Sequence, residues 1–259
     1  VGRPRRRVAL TVINMATVIG MATVLAACGD DGPSFGAPRP ASHQGEDIFR
    51  LWQGSVWAAG FVGAFVWGLI IFAVIRFRKR GDELPPQRHA NIPLEIAYTV
   101  TPLLIVAGLF AFTVATQERV TDIRSGPADL TVEVTAFQWQ WRFHYKEAGI
   151  DVVGTPDEDP VMVLPTGATV RLDLRSTDVQ HSFYVPAFLF KRDTVPGITN
   201  VVDLEVVKPG RYDGRCAEFC GLLHDRMDFV VEAVDQAEFD RWVAEQTRTR
   251  PAPATEAVR

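Results

Sequence analysis

The chain has 259 residues, 47% of them apolar and 22% charged, with a formal net charge of −4. This composition excludes a disordered chain, which would be charge-rich and poor in aromatics, and on overall charge a basic nucleic-acid binder, so no nucleic-acid partner is expected. Three cysteines, Cys28, Cys216 and Cys220, are too few for a disulfide framework.

The N-terminus carries Arg3, Arg5, Arg6 and Arg7, then a mostly apolar stretch from Val8 to Val24, then Leu25-Ala26-Ala27-Cys28. A basic start, an apolar middle and small residues before a cut site mark an export signal. Leu-Ala-Ala-Cys also resembles the bacterial lipoprotein box, which implies cleavage before Cys28 and a lipid on its thiol. The alternative is a third span with an incidental Cys. The stretch is short for a span and contains Asn14 and several Thr, which favours the signal. Residues 28–48 are expected to form a flexible tether, because Gly29 to Gly45 is rich in Gly, Pro, Asp and Ser.

Leu51 to Ile75 contains no charged residue and is long enough to cross a bilayer core of about 30 Å at about 1.5 Å per residue. A second span is expected over about 93–116. The loop between them carries Arg76, Arg78, Lys79, Arg80 and Arg88 against Asp82 and Glu83. By the positive-inside rule that loop is cytoplasmic, and everything after 117 faces outward. The lipoprotein box independently puts Cys28 outside. The second span contains Glu95. One reading is a first-turn carboxylate on the positive end of the helix dipole, with Asn91 as cap and Pro93 in the first turn. The other is a carboxylate that takes up protons. The residues alone weigh these equally.

Beyond residue 117 the pattern becomes alternating. Leu130–Ala136, Thr169–Arg175 and Val201–Val207 alternate apolar and polar residues, with turn residues such as Lys208-Pro209-Gly210 between runs. Half-buried strands of a sandwich are expected. Further strands are expected at Gln138–Tyr145, His181–Val185, Arg211–Arg215 and Met227–Val234, with a closing helix over Asp235–Gln246. This region holds 24 acidic and 16 basic residues. That excess reads as ordinary solubility or as a surface that steers a basic partner.

The segment richest in chemistry is Cys216-Ala-Glu218-Phe-Cys220-Gly-Leu-Leu-His224-Asp-Arg-Met227, with His181 lying 35 residues before Cys216. Two thiols, two imidazoles and a thioether form a soft donor set that suits copper. Zinc could take Cys216, Cys220, His224 and His181 but leaves Met227 without a role. A Cys216–Cys220 disulfide is open to a chain outside the membrane. A mononuclear blue-copper site needs only one Cys. Two thiolates bridging two coppers explain the second Cys, and sharing one electron over two ions lowers the reorganisation that transfer costs.

At these residues the chain closely resembles subunit II of the haem–copper cytochrome c oxidases. The motif Cys-x-Glu-x-Cys-x3-His-x2-Met is specific, and the resemblance runs from about residue 45 to 246. It implies a two-helix transmembrane hairpin followed by an all-β cupredoxin-like Greek-key sandwich. It also implies a dinuclear CuA centre of two copper ions. Cys216 and Cys220 would bridge them, with His181 and Met227 on one copper and His224 and the Glu218 carbonyl on the other. The Glu218 side chain would bind a magnesium shared with subunit I. Phe137-Gln-Trp-Gln-Trp141 resembles the family's aromatic run, whose first Trp, here Trp139, receives electrons from cytochrome c. The alternative is that these aromatics are core residues, and Trp139 and Trp141 are expected on one strand face. Glu95, seven residues before Pro102, resembles the glutamate at the mouth of the family's K proton channel. The run from Val185 to Gly197 also resembles the segment after the first copper His.

The organisation expected is a signal at 1–27, a tether at 28–48, a hairpin at 49–117, a copper domain at 118–246 and a tail at 247–259. Some relatives carry a C-terminal cytochrome c domain. Cys-x-x-Cys-His does not occur here, so the donor is expected to be a separate cytochrome c-type protein. Electrons would pass to haem in subunit I of a bacterial plasma-membrane oxidase, where O2 is reduced and protons are moved. His43, His89 and His144 match no ligand and are read as tether, loop and strand surface. The alternatives are a quinol oxidase subunit, which would lack the copper ligands, and a copper-delivery lipoprotein, which would need neither spans nor Glu95. The copper domain of nitrous oxide reductase would need a large additional propeller.

Overall fold

A computed structural model describes residues 28–29, 32–84, 86–155 and 157–249. The expected signal at 1–27 and residues 250–259 of the expected tail lie outside the described residues, and of Cys28 only the backbone is described. The chain forms two compact units, one of residues up to Arg39 with Trp52–Ala97, the other of Pro40–Leu51 with Tyr98 onward.

In the first unit a two-residue strand pair, β1 (Cys28–Gly29) and β2 (Gly32–Pro33), is followed by a turn. Gln53 Nε2 donates to the Pro33 carbonyl at 2.9 Å, and Trp52 Nε1 donates to the Ser34 carbonyl at 3.1 Å. Among the described residues two helices are long and apolar enough to cross a membrane, α1 (His43–Arg76) and α2 (Ile92–Thr121). Both exceed the charge-free runs in the sequence, because their outer turns carry Glu46, Asp47 and Arg50 in α1 and Glu118 and Arg119 in α2. Asn91 caps α2. Its Oδ1 lies 3.4 Å from the Leu94 N–H, and its own N–H donates to Glu95 Oε1 at 2.9 Å, a reciprocal arrangement that satisfies free donors of the first turn.

The second unit is a two-sheet sandwich. Its strands are β3 (Leu130–Phe137), β4 (Gln140–Tyr145), β5 (Ile150–Val153), β6 (Val161–Pro165), β7 (Val170–Ser176), β8 (His181–Val185), β9 (Phe190–Thr194), β10 (Asn200–Leu204), β11 (Gly210–Cys216) and β12 (Asp228–Val234), with a closing helix α3 (Gln236–Thr249). One sheet runs β10-β7-β3-β4-β5 and the other β6-β12-β11-β8-β9. Pairings are antiparallel except β3 with β7 and β6 with β12. On β4, Trp141, Phe143 and Tyr145 point inward with no exposed surface, while Arg142 and His144 alternate outward. Each such aromatic contributes about 1.5–3 kcal/mol on burial. Tyr145 ties the two sheets together: its hydroxyl accepts the Val163 N–H at 2.8 Å and donates to the Val163 carbonyl at 3.0 Å.

The end of the expected flexible tether is held rather than free. Ala41 N–H donates to the Ala187 carbonyl at 2.8 Å, and Ser42 and Phe49 are buried. Gly45 presses on the Phe188 carbonyl so closely that a Cβ would lie 2.6 Å from its oxygen. His43 therefore starts a helix, His89 lies in the loop between α1 and α2, and His144 sits on β4 at 3.1 Å from Asp151.

Asp203, 3% exposed, is the charged anchor of one sheet. Both its oxygens take Arg171, each at 2.8 Å, and Oδ2 also accepts the Arg124 N–H at 2.8 Å. Burial pushes this carboxyl up, but Arg171 and Arg124 outweigh burial and hold it below the usual carboxylate range. A depressed folded-state pKa gives stability that is complete above the unfolded value of about 3.9 and is lost as pH falls through the folded value. Arg171→Ala is thus expected to cost about 3 kcal/mol at neutral pH by stranding the carboxylate. Denaturant melts should show the gap between wild type and variant closing toward acid pH. A gap that does not change with pH would contradict this.

Candidate metal centre

The site grows from one sheet edge. β8 and β11 pair antiparallel, with Cys216 opposite Phe183, so the first residue of β8 and the last of β11 come to the same end. His181 is that first residue and is fully buried. Cys216 N–H donates to the Met227 carbonyl at 2.9 Å, which closes the base of the loop from β11 to β12. The loop then brings Cys220 and His224 back over Cys216. His224 lies in a short 3-10 turn, His224–Arg226.

The structure brings all five predicted side-chain donors together. Cys216 Sγ and Cys220 Sγ are 3.9 Å apart, and Cys216 Sγ is 4.0 Å from His181 Nδ1. Cys220 Sγ is 3.5 Å from His224 Nδ1 and 3.8 Å from Met227 Sδ. The Glu218 carbonyl oxygen is 3.2 Å from Cys216 Sγ. The donor atoms of His181, Cys216 and Cys220 all lie within 4.8 Å of one another. The two sulfurs are too far apart for a disulfide, whose bond is about 2.05 Å, and both cysteines are free. They are close enough to share a metal, since thiolate–metal bonds of about 2.3 Å reach across about 4.6 Å.

The electrostatics point the same way. Burial pushes the Cys216 thiol up, but the His181 imidazole and the backbone of Glu218 and Ser182 outweigh it and bring the thiol down to about 7. Cys220 is pushed up to about 12 by burial and then by the charge on Cys216. Without a cation Cys216 thus gives up its proton well before Cys220. A bound cation makes room for the second negative charge. The donor set fits a soft metal.

Asp178, which the sequence reading passed over, sits directly behind His181. Its Oδ1 is 2.8 Å from His181 Nε2. A carboxylate only accepts, so Nε2 carries a proton, and Nδ1 is the nitrogen left to donate to a metal held with the sulfurs. The Asp-x-x-His spacing just before a strand was the available signal.

Trp139 and Trp141 do not share a strand face. β4 begins at Gln140, which leaves Trp139 half-buried in the two-residue turn between β3 and β4. Its indole N–H donates to the Cys220 carbonyl at 3.2 Å. Trp141 is the core residue, and its indole N–H donates to the Met227 carbonyl at 3.3 Å. Gly221 has φ +122°, and a Cβ there would meet the Trp139 indole nitrogen at 3.2 Å, so a glycine lets the loop lie flat under the ring. The Glu218 carboxylate reaches Lys191 Nζ at 3.4 Å. Glu95 belongs to the other unit, in the cap of α2.

Residues 154–234 match the family described as cytochrome c oxidase subunit II, periplasmic domain. The probable cytochrome c oxidase subunit 2 of Streptomyces avermitilis is 37% identical, over 92% of this chain and 86% of that one. The subunit 2 of Mycobacterium tuberculosis is 30% identical, over 95% and 84%. Among solved structures, the periplasmic domain of subunit II of the Bradyrhizobium japonicum cytochrome oxidase aligns with 30% identity and a TM-score of 0.45, covering 48% of this chain and 98% of that one. The long relatives share both the helical and the β regions with this protein, and the chain belongs to the cytochrome c oxidase subunit II family.

Proposed function

We propose that this chain is the subunit through which electrons enter a respiratory cytochrome c oxidase, and that its β domain holds a dinuclear copper centre. The observation that carries the reading is the meeting of two thiols, two imidazoles and a thioether at one sheet end, with contacts of 3.5–4.0 Å between them. Cys216 and Cys220 would bridge two coppers, with His181, Met227, His224 and the Glu218 carbonyl completing them. When bound, such a pair supplies one transferable electron. Each sulfur has its own imidazole neighbour, His181 at Cys216 and His224 at Cys220, which supports two ions over a single zinc. Glu218 would exchange its Lys191 contact for a magnesium shared with subunit I.

Trp139 would receive electrons from a cytochrome c-type donor. It is half-buried, and its indole touches the peptide of a bridging cysteine. Trp139→Phe should leave the metal in place yet lose most of the rate of reduction by cytochrome c in a stopped-flow trace. A wild-type rate would contradict this. The acidic excess of the β region would steer a basic donor, so that rate should also fall with added salt.

α1 and α2 would both span the bacterial plasma membrane beside subunit I, with the basic loop inside and the copper domain outside. Cys28 would carry the lipid. Glu95 would stand at the mouth of a proton channel into subunit I, besides capping α2. Glu95→Gln retains a side-chain acceptor for the cap, so steady-state O2 uptake by the assembled oxidase should fall severalfold without loss of copper. Unchanged uptake would leave Glu95 a cap only.

A further inference from the structure

A closed chain of contacts runs behind the metal ligands. Asp178 lies in the turn between β7 and β8. Its Oδ1 meets His181 Nε2 at 2.8 Å and accepts the Val179 N–H at 2.6 Å, and Ser176 Oγ lies 3.4 Å away. Its Oδ2 accepts the Gln138 N–H at 2.7 Å. Gln138 in turn donates its side-chain amide to the Cys220 carbonyl at 2.8 Å, the same oxygen that takes the Trp139 indole. The ring closes through Cys220, Cys216 and back to His181. Three segments distant in sequence are joined this way, and Asp178 is the only charged group in the ring other than the ligands. Its side chain keeps 30% of its surface exposed while His181 keeps none.

We propose that Asp178 is a positioning residue that sets both the donor strength of His181 and the pose of the Trp139 turn over Cys220. This rests on the copper reading above. The reason is chemical. A carboxylate on the outer N–H makes the imidazole a stronger donor and places a negative charge one ring from the metal. That charge favours the more oxidised, more positive state of the centre and so lowers its reduction potential. The other oxygen fixes the first amide of the hairpin turn, so the indole and the ligand are held by one group.

The test uses the full chain in its assembled oxidase, loaded with copper, as wild type, Asp178→Asn and Asp178→Ala. The Asn variant keeps an acceptor for His181 but loses the charge, and its NH2 cannot accept from Gln138. It should retain copper, with a higher midpoint potential and altered hyperfine splitting in its paramagnetic spectrum. The Ala variant should lose about 10–100-fold in copper affinity. Should the Ala variant fail to fold, the Asn potential still decides. Slower reduction by cytochrome c with potential and spectrum unchanged would make Asp178 a surface charge for the donor and overturn the proposal. A wild-type chain without a paired copper signal would sink the copper reading and this inference together. A normal wild-type signal with an unchanged Asn potential would sink this inference alone.

Discussion

Cys216→Ser should fold and yet carry no paired metal centre. Folding survives because the contact that closes the loop is made by the backbone, from Cys216 N–H to the Met227 carbonyl, and does not need the sulfur. The metal centre does not survive, because a serine hydroxyl is a hard, weakly acidic group that cannot replace a soft bridging thiolate. Cys220 would remain with His224 and Met227 beside it, enough for one loosely held ion. Reduction of the assembled oxidase by cytochrome c should fall to background, while the melting transition of the metal-free β domain stays close to wild type. Electron transfer persisting in this variant would mean that Cys216 does not bridge.

The largest effect on the scaffold should come from Trp141→Ala. Trp141 has no exposed surface and packs edge-on against Phe183 and Phe229, with ring centroids 6.0 and 5.2 Å away, and 6.4 Å from the His181 ring. Its removal leaves a cavity at the centre of the sandwich, costing about 3–5 kcal/mol. That is a large share of a typical domain stability of about 5–15 kcal/mol. The cavity lies directly under His181 and beside Met227, so copper binding should weaken as well. Trp141→Phe keeps most of the packing and loses the indole donor. The Met227 carbonyl still receives the Cys216 N–H, so the cost should be only about 1 kcal/mol. Chemical denaturation of the three proteins checks the order, and an Ala variant as stable as the Phe variant would contradict it.

The metal loop was legible because its information is local. Five of the six donors expected on copper fall between Cys216 and Met227, and their element types speak for a soft metal without any fold. His181 required the fold, and the strand pattern of β8 put it at a strand start. Alternation also revealed β3, β7 and β10, each of which turns one face to the core. Three strands of the sandwich escaped for physical reasons. β6 is buried along nearly its whole length, so Val161–Pro165 does not alternate. β5 and β9 are edge strands, four and five residues long, and β9 contains Lys191, Arg192 and Asp193, charges that suit an edge but disguise a strand. The start of α1 was missed because Glu46, Asp47 and Arg50 end an apolar run while continuing a helix whose first turns dock on the β domain. Asp178 and Gln138 stayed hidden because their roles depend on a turn meeting a loop about 80 residues away.

The most direct measurement is the metal content of the purified wild-type chain together with its electron paramagnetic spectrum. Two coppers per chain and a seven-line hyperfine pattern, from one unpaired electron shared equally by two nuclei, are the expected result. Zinc in the site, or a single copper with a four-line pattern, would contradict a paired centre built on Cys216 and Cys220.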